Sequence, residues 1–149
     1  MNAGDNVGQV SFRDLDDREV RLGEYRGQTL VLVGGGRGSV RQAMRWGEAL
    51  DQRLAALPGV RTVPVVFIDG LPVFVPRRFV RESIQRFAPI RPLIDWEGKA
   101  ARALGLAGSE QAHVWVIDPS SVLRHLLVSP FSEAGAAHAE RLIVAVNDR

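Results

Sequence analysis

The chain has 149 residues, 46% of them hydrophobic and 24% charged, and it contains no cysteine. That length fits one domain spanning 1–149 and buries about two-thirds of its unfolded surface without covalent staples, while the missing thiol excludes disulfides, thiolate nucleophiles and thiolate metal sites. The net charge is only +2 and Lys99 is the sole lysine, so the pI near 9.9 reflects arginine basicity rather than a charge excess, and no nucleic-acid surface is expected.

In chain order, Val10-Ser11-Phe12 opens a short strand, residues 14–17 turn, and Glu19-Val20-Arg21-Leu22 alternates as a second strand, together a β-hairpin. Thr29-Leu30-Val31-Leu32-Val33 is an unbroken apolar run, the pattern of a strand covered on both faces. It stops at Gly34-Gly35-Gly36-Arg37-Gly38. Ser39 and Gln42 then form a capping box, which predicts a helix from Val40. Val40, Ala43, Met44, Gly47, Leu50 and Leu54 make its apolar face, and Pro58-Gly59 ends it.

Val63 to Ile68 reads as the next buried strand, followed by a loop over 70–76. A helix beginning near Pro76 carries Phe79, Val80, Ile84 and Phe87 on one side and is broken by Pro89 and Pro92. Leu93-Ile94 is a short extended piece, and residues 99–106 form a short helix ended by Gly105 or Gly108. Residues 114–118 and 123–128 are strands joined by a tight turn at Pro119-Ser120-Ser121, hence antiparallel. Ser132 caps a last helix with Ala136, Ala139, Leu142, Ile143 and Val146 inward. Strands alternating with helices predict an α/β protein, a central mixed sheet flanked by helices with an N-terminal β-hairpin. No apolar run nears the roughly 20 residues of a membrane span. The opening MNAGDNVGQVSF has no basic n-region and no apolar h-region, so the expectation is a cytoplasmic protein with no membrane partner.

Three stretches carry a resemblance: VSFRDLDDREVRLGEYRGQTLVLVG at 10–34, FAPIRPLIDWEGKAARALGL at 87–106 and AHVWVIDPSSVLRHLL at 112–127. They resemble the redoxin branch of the thioredoxin-like superfamily, which holds alkyl hydroperoxide reductase, thiol-specific antioxidant proteins and thiol-disulfide oxidoreductases. The resemblance implies a thioredoxin-like fold. It also implies a reactive cysteine on the turn between the core strand and the first long helix, where a helix N-terminus lowers the thiol pKa. Counting from Val31 puts Ser39 at that position; anchoring on the arginine that follows the family motif puts Arg37 and Val40 at the two cysteine positions. The family's cis-proline or arginine before the next strand is matched by Ala112, where a trans bond is expected because a non-proline cis bond costs about 2.5–4 kcal/mol.

The reading is therefore a redox-inactive pseudoenzyme that acts by binding a protein or a small anion. Two alternatives stand beside it: a residual redoxin-family enzyme using non-thiol chemistry, or a structural subunit of an oligomer. Gly36, Arg37, Gly38, Ser39, Val40, Arg41 and Ala112 make up the vestigial turn. Amides between Gly34 and Ser39 could hold an anion at a helix N-terminus, and a merely eroded turn is the competing reading. Val73, Phe74, Arg77, Arg78 and Arg81 form a candidate surface for a protein partner or a second copy, unless Val73, Phe74 and Val75 fold onto the core. No cofactor is expected. Gly-x-Gly-x-x-Ser lacks the third glycine of a dinucleotide loop, and no Gly-Lys-Ser/Thr follows. His113, His125 and His138 lack ligand spacing, so no metal is expected either. A Ser39-His113-Asp118 triad has no nucleophile elbow to support it. Trp46, Trp96 and Trp115 read as packing residues.

Overall fold

The computed structural model describes residues 2–68, 74–87, 91–106 and 110–148. Its elements are β1 (Ser11–Arg13), β2 (Glu19–Arg21), β3 (Thr29–Gly35), α1 (Val40–Leu54), β4 (Val60–Phe67), α2 (Arg77–Phe87), β5 (Leu93–Asp95), α3 (Lys99–Leu104), β6 (His113–Ile117), β7 (Leu123–Val128) and α4 (Glu133–Asn147). Short 3-10 turns at Leu22–Tyr25 and Arg37–Ser39 join β2 to β3 and β3 to α1.

All seven strands form one sheet in the order β2-β1-β5-β4-β3-β6-β7. The strand β3 is parallel to β4 and antiparallel to β6, and every one of its residues is buried. That placement explains its unbroken apolar sequence, since neither face of a central strand meets water. The predicted hairpin is present: Phe12 pairs with Val20, and Asp17 takes a left-handed φ of 63° at its turn. The β6–β7 turn is also antiparallel, with Ser121 at φ 67°. Ser132 caps α4 as expected, its hydroxyl accepting the Gly135 amide at 2.9 Å.

Two layers cover the sheet. On one face Leu30, Leu32, Val65, Trp115 and Ile117 pack with Ala100 and Leu104 of α3. On the other, Val31, Val33, Val114 and Val116 meet Trp46, Leu50 and Leu54 of α1 and Ala136, Ala139 and Ile143 of α4. A third cluster joins Leu15, Ile68, Ile94 and Trp96 with Val66 and with Val80 and Ile84 of α2. The register aligns Gly35 with Val66 and Val66 with Ile94. Paired residues share a sheet face, so α2 lies on the same side as α1. Trp46 and Trp115 are packing residues with their N–H groups used: they donate to the carbonyls of Ser129 and Leu104, each at 3.1 Å.

The buried face of α1 differs from expectation. Trp46, Leu50 and Leu54 are buried, whereas Val40 and Met44 are each 41% exposed. Trp46 is the larger apolar group, and turning it onto α4 rotates Val40 and Met44 outward.

Two glycines have opposite roles. A Cβ on Gly34 would collide with the Val65 carbonyl, whereas one on Gly47 would meet nothing. Gly34→Ala is expected to lower unfolding free energy by about 1–3 kcal/mol, because backbone must move to admit the methyl. Gly47→Ala in mid-helix should raise it by about 0.5–1 kcal/mol. Urea unfolding midpoints of the two variants check both signs.

Candidate functional site

The turn after β3 is built by what its residues lack. With no side chain on Gly35, Ser39 folds beneath it: a Cβ there would strike the Ser39 hydroxyl and press on the Gln111 carbonyl. Ser39 is buried, and its hydroxyl donates to the Gly36 carbonyl at 3.0 Å, as does its amide. The expected Ser39–Gln42 capping box is absent. Ser39 sits at φ −115°, ψ 9° and makes no side-chain cap bond. It lacks the extended backbone that aims a hydroxyl at the first helical amides. Gln42 is used elsewhere, its Oε1 accepting the Phe131 amide at 2.6 Å, which ties α1 to the approach of α4.

The antiparallel register pairs Gly34 with His113, which carries buried Ala112 alongside Gly35. Sequence and structure thus bring Gly36, Arg37, Gly38, Ser39, Val40 and Ala112 to one end of the sheet. The described backbone contains no cis peptide bond, so Ala112 follows a trans bond. Gly38, Val40 and Arg41 are exposed, and Gly38 faces the carboxylate of Glu110, which a Cβ at that position would strike.

His113 lies across the sheet from α1. Its ring stacks on Trp115 with centroids 5.2 Å apart, and Nδ1 donates to the Gln111 carbonyl at 2.8 Å. Burial holds its pKa below the ordinary imidazole value, outweighing that hydrogen bond. The Ser39-His113-Asp118 triad is not assembled. Asp118 sits beyond the other end of β6, where its carboxylate accepts Ser120 and Val122 amides and the Arg124 guanidinium at 2.8–3.0 Å. Burial raises its pKa, but those three partners outweigh it and hold it low. Among the described residues no cluster of three His, Cys, Asp or Glu could hold a metal.

The candidate surface around α2 is dispersed. Phe74 is 84% exposed and Phe79 53% exposed, so Phe74 does not fold onto the core. Arg77 stacks 5.1 Å above Trp96 and pairs with Glu97 at 3.1 Å. Arg78 lies over Phe79 at 5.5 Å, and Arg81 faces Asp17 at 3.7 Å. Val73 lies outside the described residues.

The feature that sequence reasoning missed is a cleft of about 720 Å³ between α1 and α2. Its floor is Val33, Gly35, Pro64 and Val66; Val40, Ala43, Met44 and Gly47 of α1 form one wall, and Ser83 and Ile84 of α2 the other. Glu48, Asp51 and Thr62 line it as well. Partial burial raises the Asp51 pKa, opposed by a hydrogen bond from Thr62. Helical spacing does show two apolar stripes on α1, one through Trp46 and one through Met44. Only the long-range position of α2 leaves the second uncovered.

No protein-family profile matches the chain, and no curated protein resembles it in sequence. Solved structures do. A protein assigned as the thiol:disulfide interchange protein DsbE of Chlorobium tepidum superposes with a TM-score of 0.73 at 18% identity, covering 98% of each chain. A secreted thiol-disulfide isomerase of Corynebacterium glutamicum gives 0.70 at 13% identity over 96% of this chain and 86% of its own. The thioredoxin domain of a Bacteroides vulgatus thiol-disulfide oxidoreductase gives 0.66 at 11% identity over 96% and 99%. The chain therefore has a thioredoxin-like fold. It is a cysteine-free version of a fold whose similar structures are described as thiol-disulfide enzymes.

The buried imidazole sets a pH dependence. A depressed folded pKa means the unfolded chain binds more protons once pH falls below the ordinary histidine value of about 6.5. Stability from His113 is therefore present above that value and lost on acidification. The Asp118 contribution is lost only in the lower carboxylate range. Thermal unfolding between pH 7 and pH 5 is expected to show a steeper Tm decline for the parent than for His113→Gln.

Proposed function

We propose that this chain is a redox-inactive thioredoxin-fold protein that acts by binding, with the α1–α2 cleft as its binding face. Electron transfer through a thiol needs a sulfur that cycles between thiolate and disulfide. The chain has none, and the residue tucked at the turn is a buried hydroxyl bonded to its own backbone. Non-thiol nucleophilic chemistry gains no support, because the Ser39 hydroxyl is buried and donates its proton to the Gly36 carbonyl.

The observation that carries the binding reading is the cleft. Its volume lies in the range of about 300–1,000 Å³ occupied by small-molecule sites, and it opens beside the exposed side chains of Val40 and Met44. The turn itself supports an anion less well. The Glu110 carboxylate stands against Gly38, so an incoming anion meets a like charge.

Insulin-disulfide reduction and peroxide consumption are expected to equal those of heat-denatured chain. Turnover above that baseline would overturn the reading.

One observation favours a structural-subunit reading instead: Phe74 and Phe79 expose large rings next to arginines, a composition found at interface cores. Light scattering decides it. A dimer that Phe74→Asp converts to monomer supports a subunit role, and a monomeric parent removes it.

A further inference from the structure

We infer that the α1–α2 cleft takes a small organic cation with an apolar body, such as an alkyl amine. The inference rests on the reading of the cleft as the binding face. Val33, Val40, Met44, Val66 and Ile84 line it with apolar surface, which gains by exchanging water for hydrocarbon. Small residues keep the space open. Gly47 faces it, and a Cβ there would meet nothing. A mid-helix glycine is intrinsically unfavourable relative to alanine, so the stability of α1 alone does not account for it.

The charge of the cleft sets the sign of the ligand. Among its described lining residues the charged ones are Glu48 and Asp51, with no arginine or lysine. They stand three positions apart on α1, so both project on one side of the helix. Neither forms an ion pair among the described residues. Several arginines are engaged elsewhere: Arg53 with Glu133 and Glu140, Arg77 with Glu97, Arg81 with Asp17 and Arg124 with Asp118. The raised pKa of Asp51 reflects a carboxylate partly withdrawn from water, a setting in which a cationic partner is less screened than on open surface. The chain as a whole carries +2, so bulk charge does not favour cations, and any such preference belongs to this cleft.

A body of hydrocarbon lying over Val66 and Met44, with an ammonium donating to Glu48 and Asp51, satisfies both halves of the lining at once. A carboxylate of equal length would bury the same hydrocarbon and meet like charge. A neutral alcohol falls between.

Calorimetric titration with decylamine, decanol and decanoate below their micelle concentrations separates these cases. Decylamine is expected to bind roughly tenfold more tightly than decanoate, the ratio that one charge contact of about 1.4 kcal/mol gives. The double variant Glu48→Gln, Asp51→Asn should bring the three probes together without weakening decanol. Gly47→Leu should fill the cleft and abolish binding of all three, while its unfolding temperature, at or above the parent's, shows that the chain still folds. Equal binding of amine and carboxylate to the parent overturns the cation inference and leaves the cleft reading intact. Failure of all three probes, or binding that survives Gly47→Leu, overturns the cleft reading and this inference with it.

Discussion

The close approach of backbone at the end of β3 is the constraint on which the rest depends. Gly34 lets the Val65 carbonyl come within the space a methyl would fill, and Gly35 lets Ser39 lie directly beneath it. Those two contacts fix where α1 starts and seal its N-terminal turn from inside. The hydroxyl that occupies the turn points back to Gly36 rather than outward. A helix N-terminus is ordinarily a place where an exposed group is activated by the dipole. Here the group is turned away and the exposed position, Gly38, faces Glu110.

Because β3 is central and buried throughout, both layers of the protein hang on it. One layer packs around Trp115 and α3, the other around Trp46, α1 and α4. Trp46 anchors α1 to α4 through packing and through its bond to the Ser129 carbonyl, and Gln42 adds a second tie through the Phe131 amide. The consequence is a helix held firmly on its α4 side and bare on its α2 side. The open cleft follows from that asymmetry.

The elements legible in the sequence are those set by local pattern. An all-apolar strand at 29–33, a hairpin at 10–22, the serine cap of α4 and the tight turn before β7 each depend on near neighbours, and each is present. What local pattern could not supply was the competition between neighbours. Ser39 and Gln42 have the spacing of a capping box, but Gly35 offers the serine a buried seat and Phe131 offers the glutamine an amide 89 positions away. The apolar stripe through Val40 and Met44 has core spacing, but Trp46 claims the core. The cleft arises from where β4 and β5 place α2, a separation that no short window contains. The missing thiol, in contrast, needed only a residue count.

The proposed binding face requires that Met44 and Ile84 face an open cleft in solution while Ile143 and Leu104 lie in closed core. Paramagnetic relaxation of side-chain methyls by a soluble gadolinium chelate measures that directly. Strong relaxation at Met44 and Ile84, with Ile143 and Leu104 unaffected, is the expected result. Met44 and Ile84 shielded to the same degree as Ile143 would mean that α1 and α2 close upon each other, and the proposed binding face would not exist.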